Sequence, residues 1–82
     1  MIAERIEEAM KIAKRAASEL SWLAEEMDEI GTDLDQRPNA SADAAHLITR
    51  AEEARGAAKL LEEWSVHLRR LRAAEESAAG AG

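Results

Sequence analysis

Ten apolar residues recur at alternating spacings of 4 and 3 along the first half of the chain: Ile2, Ile6, Ala9, Ala13, Ala16, Leu20, Leu23, Met27, Ile30 and Leu34. An apolar period of 3.5 residues keeps one stripe of an α-helix facing a supercoiling partner. A strand alternates every second residue and cannot produce it. The second half repeats the pattern twice, side by side. Leu47, Ala51, Ala54, Ala58, Leu61 and Leu68 form one seam, and Ala57, Leu60, Trp64, His67, Leu71 and Ala74 form another. The spacing predicts an all-α chain of two long helices.

Punctuation places the boundaries. Gly31 stands where a left-handed residue would close helix one, and Pro38 pushes Arg37 out of helix. Ser41 and Asp43 suit the first turn of a second helix, through hydroxyl capping and the positive end of the dipole. Helix one is expected over about 2–30, a connection over about 31–40 and helix two over about 41–76. Leu34 still falls on the seam, which leaves open one further turn of helix one. The hairpin proper spans 1–74, and 75–82 reads as a flexible Ala/Gly tail.

Two long helices with a short link fold back antiparallel. A turn near residues 35–37 sets Ala13, Ala16 and Ala17 opposite Gly56, Ala57 and Ala58, with closest approach near Ala16 and Gly56. It sets Leu20, Leu23 and Met27 opposite alanines, so bulk alternates across the contact. Helix two carries more apolar surface than one neighbour covers. The expected architecture is therefore a coiled-coil-like antiparallel hairpin that dimerises into a four-helix bundle. Leu60, Trp64, His67 and Leu71, with Met10 and Ala17 beside the first seam, are the candidate dimer contacts.

Composition points the same way. Nineteen of the 82 residues are alanine, strong in helix propensity and poor in buried area. No cysteine is present to add a disulfide, so self-association is the readiest source of further stability. The net charge is −6 and the sequence pI about 4.9, which disfavours nucleic acid and anionic membranes as direct partners. The chain opens on an amphipathic acidic pattern, unlike a secretion signal, and the expected location is cytoplasmic.

Glu25, Glu26, Asp28, Glu29, Asp33 and Asp35 follow one another with no basic residue among them. Carboxylates at a helix C-terminus oppose the macrodipole, and Glu25 with Glu29 is a like-charge pair. Such an acidic tip is a candidate docking site for a partner with a basic surface. Trp22, off the main seam among polar residues, joins that candidate set, since aromatics are enriched at interfaces.

Glu25, Glu26 and Glu29 also spell EExxE, whose spacing puts carboxylates one turn apart, as oxygen ligands of Mg²⁺ require. This resembles the first half of the metal motif in all-α nucleotide pyrophosphohydrolases of the MazG type. The resemblance implies a metal-dependent helical oligomer, but the ExxD that follows in those enzymes is missing. Glu52 and Glu53 precede Arg55 and Gly56, and Glu62 and Glu63 precede Ser65 and Val66. Two-ligand spacing at Glu63 and His67 falls short of the three or four a metal site needs. No nucleophile–His–acid set and no phosphate-binding glycine loop occurs.

The expected function is accordingly a non-enzymatic protein-interaction or assembly module without cofactor, acting as a homodimer. The alternatives are a small acidic inhibitor of the kind mobile elements encode, blocking a basic nucleic-acid-binding surface, and a MazG-like hydrolase.

Overall fold

The computed structural model describes residues 2–81. Helix α1 spans Ile2–Asp35 and helix α2 spans Ser41–Ala81. They lie antiparallel in a hairpin whose backbone measures 68 × 14 × 11 Å. Alanine and glutamate are the commonest residues in both segments, and both favour helix. The single proline is confined to the connection. Neither described helix is long and apolar enough to cross a membrane.

Helix α1 does not stop at Gly31. It continues through Thr32, Asp33, Leu34 and Asp35, and no described glycine adopts a positive φ. Two tightened bonds then close it, Gln36 N to Asp33 O at 3.3 Å and Arg37 N to Leu34 O at 2.9 Å. The left-handed residue expected at Gly31 is Asn39, with φ 64°. Asparagine tolerates that region better than most side chains do. Helix α2 opens with Ala44 N donating to Ala40 O at 3.0 Å, so Ala40 takes the cap position and Ser41 and Asp43 stand in the first turn. It runs through the alanine- and glycine-rich tail to Ala81.

The longer first helix moves the turn, and the turn moves the register. Asp28 pairs with Arg55 and Glu7 with Arg72, while Gly31 abuts Ala44, Leu47 and Ile48. Relative to the register expected from a turn at 35–37, α2 has slid by about one heptad. Gly56 is therefore not at the closest approach. It is exposed, and a Cβ built there meets nothing within 4 Å.

The seam of α2 is the expected one, with Ala51, Ala54 and Ala58 buried and Leu47, Leu61 and Leu68 half-buried. On α1 the seam is only half as expected. Ile6, Ala13, Leu20, Met27 and Leu34 face α2, but their neighbours in the contact are Ala3, Met10, Ala17, Ala24 and Gly31. Ile2, Leu23 and Ile30 stay 57%, 49% and 48% exposed. The buried flank is the one with the smaller side chains. Small residues let the two backbones approach closely along the whole contact.

Ala24, Ala51 and Ala54 form the centre of the core, with Leu20 and Met27 packed against it. In the observed register Leu20 lies level with Ala58, Met27 with Ala51, Gly31 with Leu47 and Ala17 with Leu61. Bulk thus alternates across the seam after all, with different partners. Toward the open end Ser65 is buried at 3% exposure, level with Ala13, and its Oγ has no hydrogen-bond partner. Arg72 then closes the seam, bridging Glu7 at 2.8 Å and Glu76 at 3.6 Å.

Candidate functional site

In an antiparallel pair of heptad helices the e positions of both strands meet on one flank and the g positions on the other. Here the two flanks differ in chemistry. The e flank carries Glu7, Lys14, Ser21, Asp28 and Asp35 from α1 and Ile48, Arg55, Glu62, Arg69 and Glu76 from α2, so that all but Ser21 and Ile48 are charged. The ion pairs of Asp28 with Arg55 and of Glu7 with Arg72, which join the two helices, both lie on it. Trp22, 67% exposed, leans over this side and walls an open hollow with Lys14, Ser18, Ser21, Glu25 and Glu62.

The g flank is apolar along most of its length. Ile2, Ala9, Ala16, Leu23 and Ile30 of α1 stand beside Ala57, Trp64 and Leu71 of α2, with Ile12 and Leu60 widening the strip. Among the described residues ten large apolar side chains are strongly exposed, and seven of them fall here: Ile2, Ile12, Leu23, Ile30, Leu60, Trp64 and Leu71. Trp64 is 54% exposed and lies level with Ala16, near the middle of the strip. Scattered exposed leucines need no explanation, whereas a continuous apolar strip marks a contact surface.

The candidate dimer residues thus divide. Leu60, Trp64, His67 and Leu71 all lie exposed on this flank. Met10 and Ala17 do not, since at 6% and 4% exposure they are enclosed within the hairpin. Their place on α1 is taken by Ile2, Ile12, Leu23 and Ile30. Sequence reasoning assigned Ile2, Leu23 and Ile30 to the seam because their bulk and period fit it. The signal that separates the two flanks is polarity further out. Glu7, Lys14, Ser21 and Asp28 border the buried small-residue flank, where charged members can ion-pair across a close helix approach.

The acidic stretch occupies the turn half of α1. The chain has 17 acidic and 11 basic residues. Removing the six carboxylates from Glu25 to Asp35 leaves 11 against 11, so this stretch accounts for the whole net charge. Its members do not converge on one point. Asp28 is half-buried and held by Arg55, and Asp28, Glu29 and Asp33 edge a shallow hollow with Thr32. The Thr32 hydroxyl donates to the Asp28 carbonyl at 2.9 Å. Among the described residues no three His, Asp or Glu side chains gather as a metal ion would require. Glu26 and Asp33 instead border the apolar flank, and Glu25 faces the hollow by Trp22.

No family model, no curated protein and no solved structure matches this chain.

Proposed function

We propose that the chain is a non-enzymatic assembly module, acting in the cytoplasm, whose apolar flank is covered by a second copy to give a four-helix bundle. The observation that carries this reading is the concentration of seven strongly exposed large apolar residues on one flank, while the ion pairs that join the helices lie on the other. The size of the flank is in proportion. From Ile2 to Ile30 the strip runs about 40 Å at 1.5 Å per residue, across two helices each about 10 Å wide. That is roughly 800 Å² per copy, the share each partner contributes to a standard stable interface. The alanine-rich core within one chain leaves room for this gain.

Light scattering over a range of concentrations tests the reading. A dimer mass at tens of micromolar, with a melting temperature that rises with protein concentration, is the expected result. A monomer mass with a concentration-independent melt overturns it.

The acidic turn end supports a second interaction, with a partner protein of basic surface. All of the net charge is there, and charge steers encounter even where it adds little affinity. Such a partner should associate more slowly as ionic strength rises.

A further inference from the structure

We infer that the second copy lies head to tail on the apolar flank, so that the turn of each hairpin covers the open end of the other. This rests on the self-association reading above and goes on to fix its geometry. Two face-to-face arrangements with two-fold symmetry are available to a flank of this shape. With both turns at the same end, α1 stacks on the partner's α2, level by level. With turns at opposite ends, α1 stacks on the partner's α1 and α2 on the partner's α2.

Apolar packing does not choose between them. Head to tail, Ala16 meets its own counterpart, Ala9 meets the partner's Leu23, and Ala57 meets the partner's Leu71. Turn to turn, Ala16 meets the partner's Trp64 and Leu23 the partner's Ala57. Turn to turn, small faces large except where Ile30 meets the partner's Arg50; head to tail, the axis sets Ala16 on the partner's Ala16 and Trp64 on the partner's Trp64, a pair of rings able to stack, and Ile30 meets the partner's Ile2.

Charge does choose. The six carboxylates of Glu25–Asp35 carry the entire net charge, and a turn-to-turn dimer would crowd both sets at one end. Along the outer rim of the flank α1 presents Arg5, Ile12, Glu19, Glu26 and Asp33, and α2 presents His46, Glu53, Leu60, His67 and Ala74. Turn to turn, Glu26 falls against the partner's Glu53, and Arg5 against the partner's Ala74. Head to tail, with the two-fold axis beside Ala16 and Trp64, Arg5 falls against the partner's Glu26, twice per dimer. Both side chains are exposed, and neither takes part in the ion pairs described within the chain. Glu53 is already held by Arg50 at 2.7 Å, so it has no need of a second cation.

The chain has no cysteine, which makes disulfide trapping clean. Ala16→Cys under mild oxidation should give a covalent dimer that melts at a higher temperature than the reduced form. A mixture of Leu23→Cys and Ala57→Cys chains should give little mixed disulfide. Separately, Arg5→Glu and Glu26→Arg should each weaken dimerisation about tenfold at low salt, and the double variant should recover most of it. A mixed Leu23–Ala57 disulfide in place of the Ala16 one, from a protein of dimeric mass, overturns the orientation and leaves the self-association reading standing. So does a double variant no better than the singles. A monomeric wild-type mass overturns both.

Discussion

Gly31 of α1 lies so close to Ile48 of α2 that a Cβ built on it would come within 3.1 Å of the Ile48 Cγ1, and within 3.3 Å of the Ala44 carbonyl oxygen. Gly56 of α2, by contrast, has open space around it. Gly31 and Gly56 thus answer to opposite forces. Gly56→Ala should stabilise the protein by about 1 kcal/mol, the helix propensity of alanine over glycine, because the added methyl has nothing to clash with. Gly31→Leu should destabilise by about 1–3 kcal/mol, because overpacking outweighs the propensity it gains. Urea denaturation of both variants checks the pair. Equal effects would mean that Gly31 is not where the helices meet.

The buried Ser65 offers a second test. Its Oγ is enclosed without a hydrogen-bond partner, and an unsatisfied buried polar atom costs about 1–3 kcal/mol. Ser65→Ala should therefore raise stability by on the order of 1 kcal/mol, with the helix propensity of alanine adding to it. A drop in melting temperature would show that the hydroxyl is bonded in solution.

The tryptophans should report on the two flanks separately. In single-tryptophan variants made with Trp22→Phe or Trp64→Phe, Trp64 should be shielded from acrylamide at tens of micromolar protein and become accessible on dilution. Trp22, on the charged flank, should be quenched alike at every concentration. Quenching of Trp64 that ignores concentration would count against self-association through the apolar flank.

Neutralising part of the acidic turn end should leave the fold intact. Glu25, Glu29 and Asp33 follow one another at i, i+4 on α1 with like charge, near the dipole's negative end. Replacing them by Gln, Gln and Asn should hold stability or raise it by a few tenths of a kcal/mol per site. Asp28 is left out because it is paired with Arg55. Circular dichroism melts at low and high salt measure the effect, and unfolding of the triple variant would assign the carboxylates a structural role.

What could be read in the residues, and what could not, follows from the symmetry of a heptad repeat. The hairpin, its antiparallel sense and the Leu47–Leu68 seam of α2 were legible, because period and connection length admit few alternatives. The register was not. Sliding one helix by seven residues leaves every seam position facing a seam position, so only helix length decides, and Gly31 misplaced the end of α1. Glycine serves as a terminator through a positive φ or as a packing residue through its missing Cβ. Sequence alone does not distinguish the uses, whereas the neighbouring Ile48 does. The candidate interaction surface divided for a related reason. Ile2, Leu23 and Ile30 share their period with Ala3, Ala24 and Gly31, one residue further on. Hydrophobicity favours burying the first set, and close helix approach favours the second.

A core centred on Ala24, Ala51 and Ala54 also sets the calorimetric character of the chain. The heat-capacity change on unfolding follows the apolar area hidden from water, and alanine hides little. A single hairpin would therefore have a flat stability curve. Its helix content would fade gradually on heating, since alanine-rich segments retain some helix without tertiary support. With a second copy on the apolar flank, the larger side chains add to the hidden area, and a sharp transition becomes a property of the pair, not of the chain.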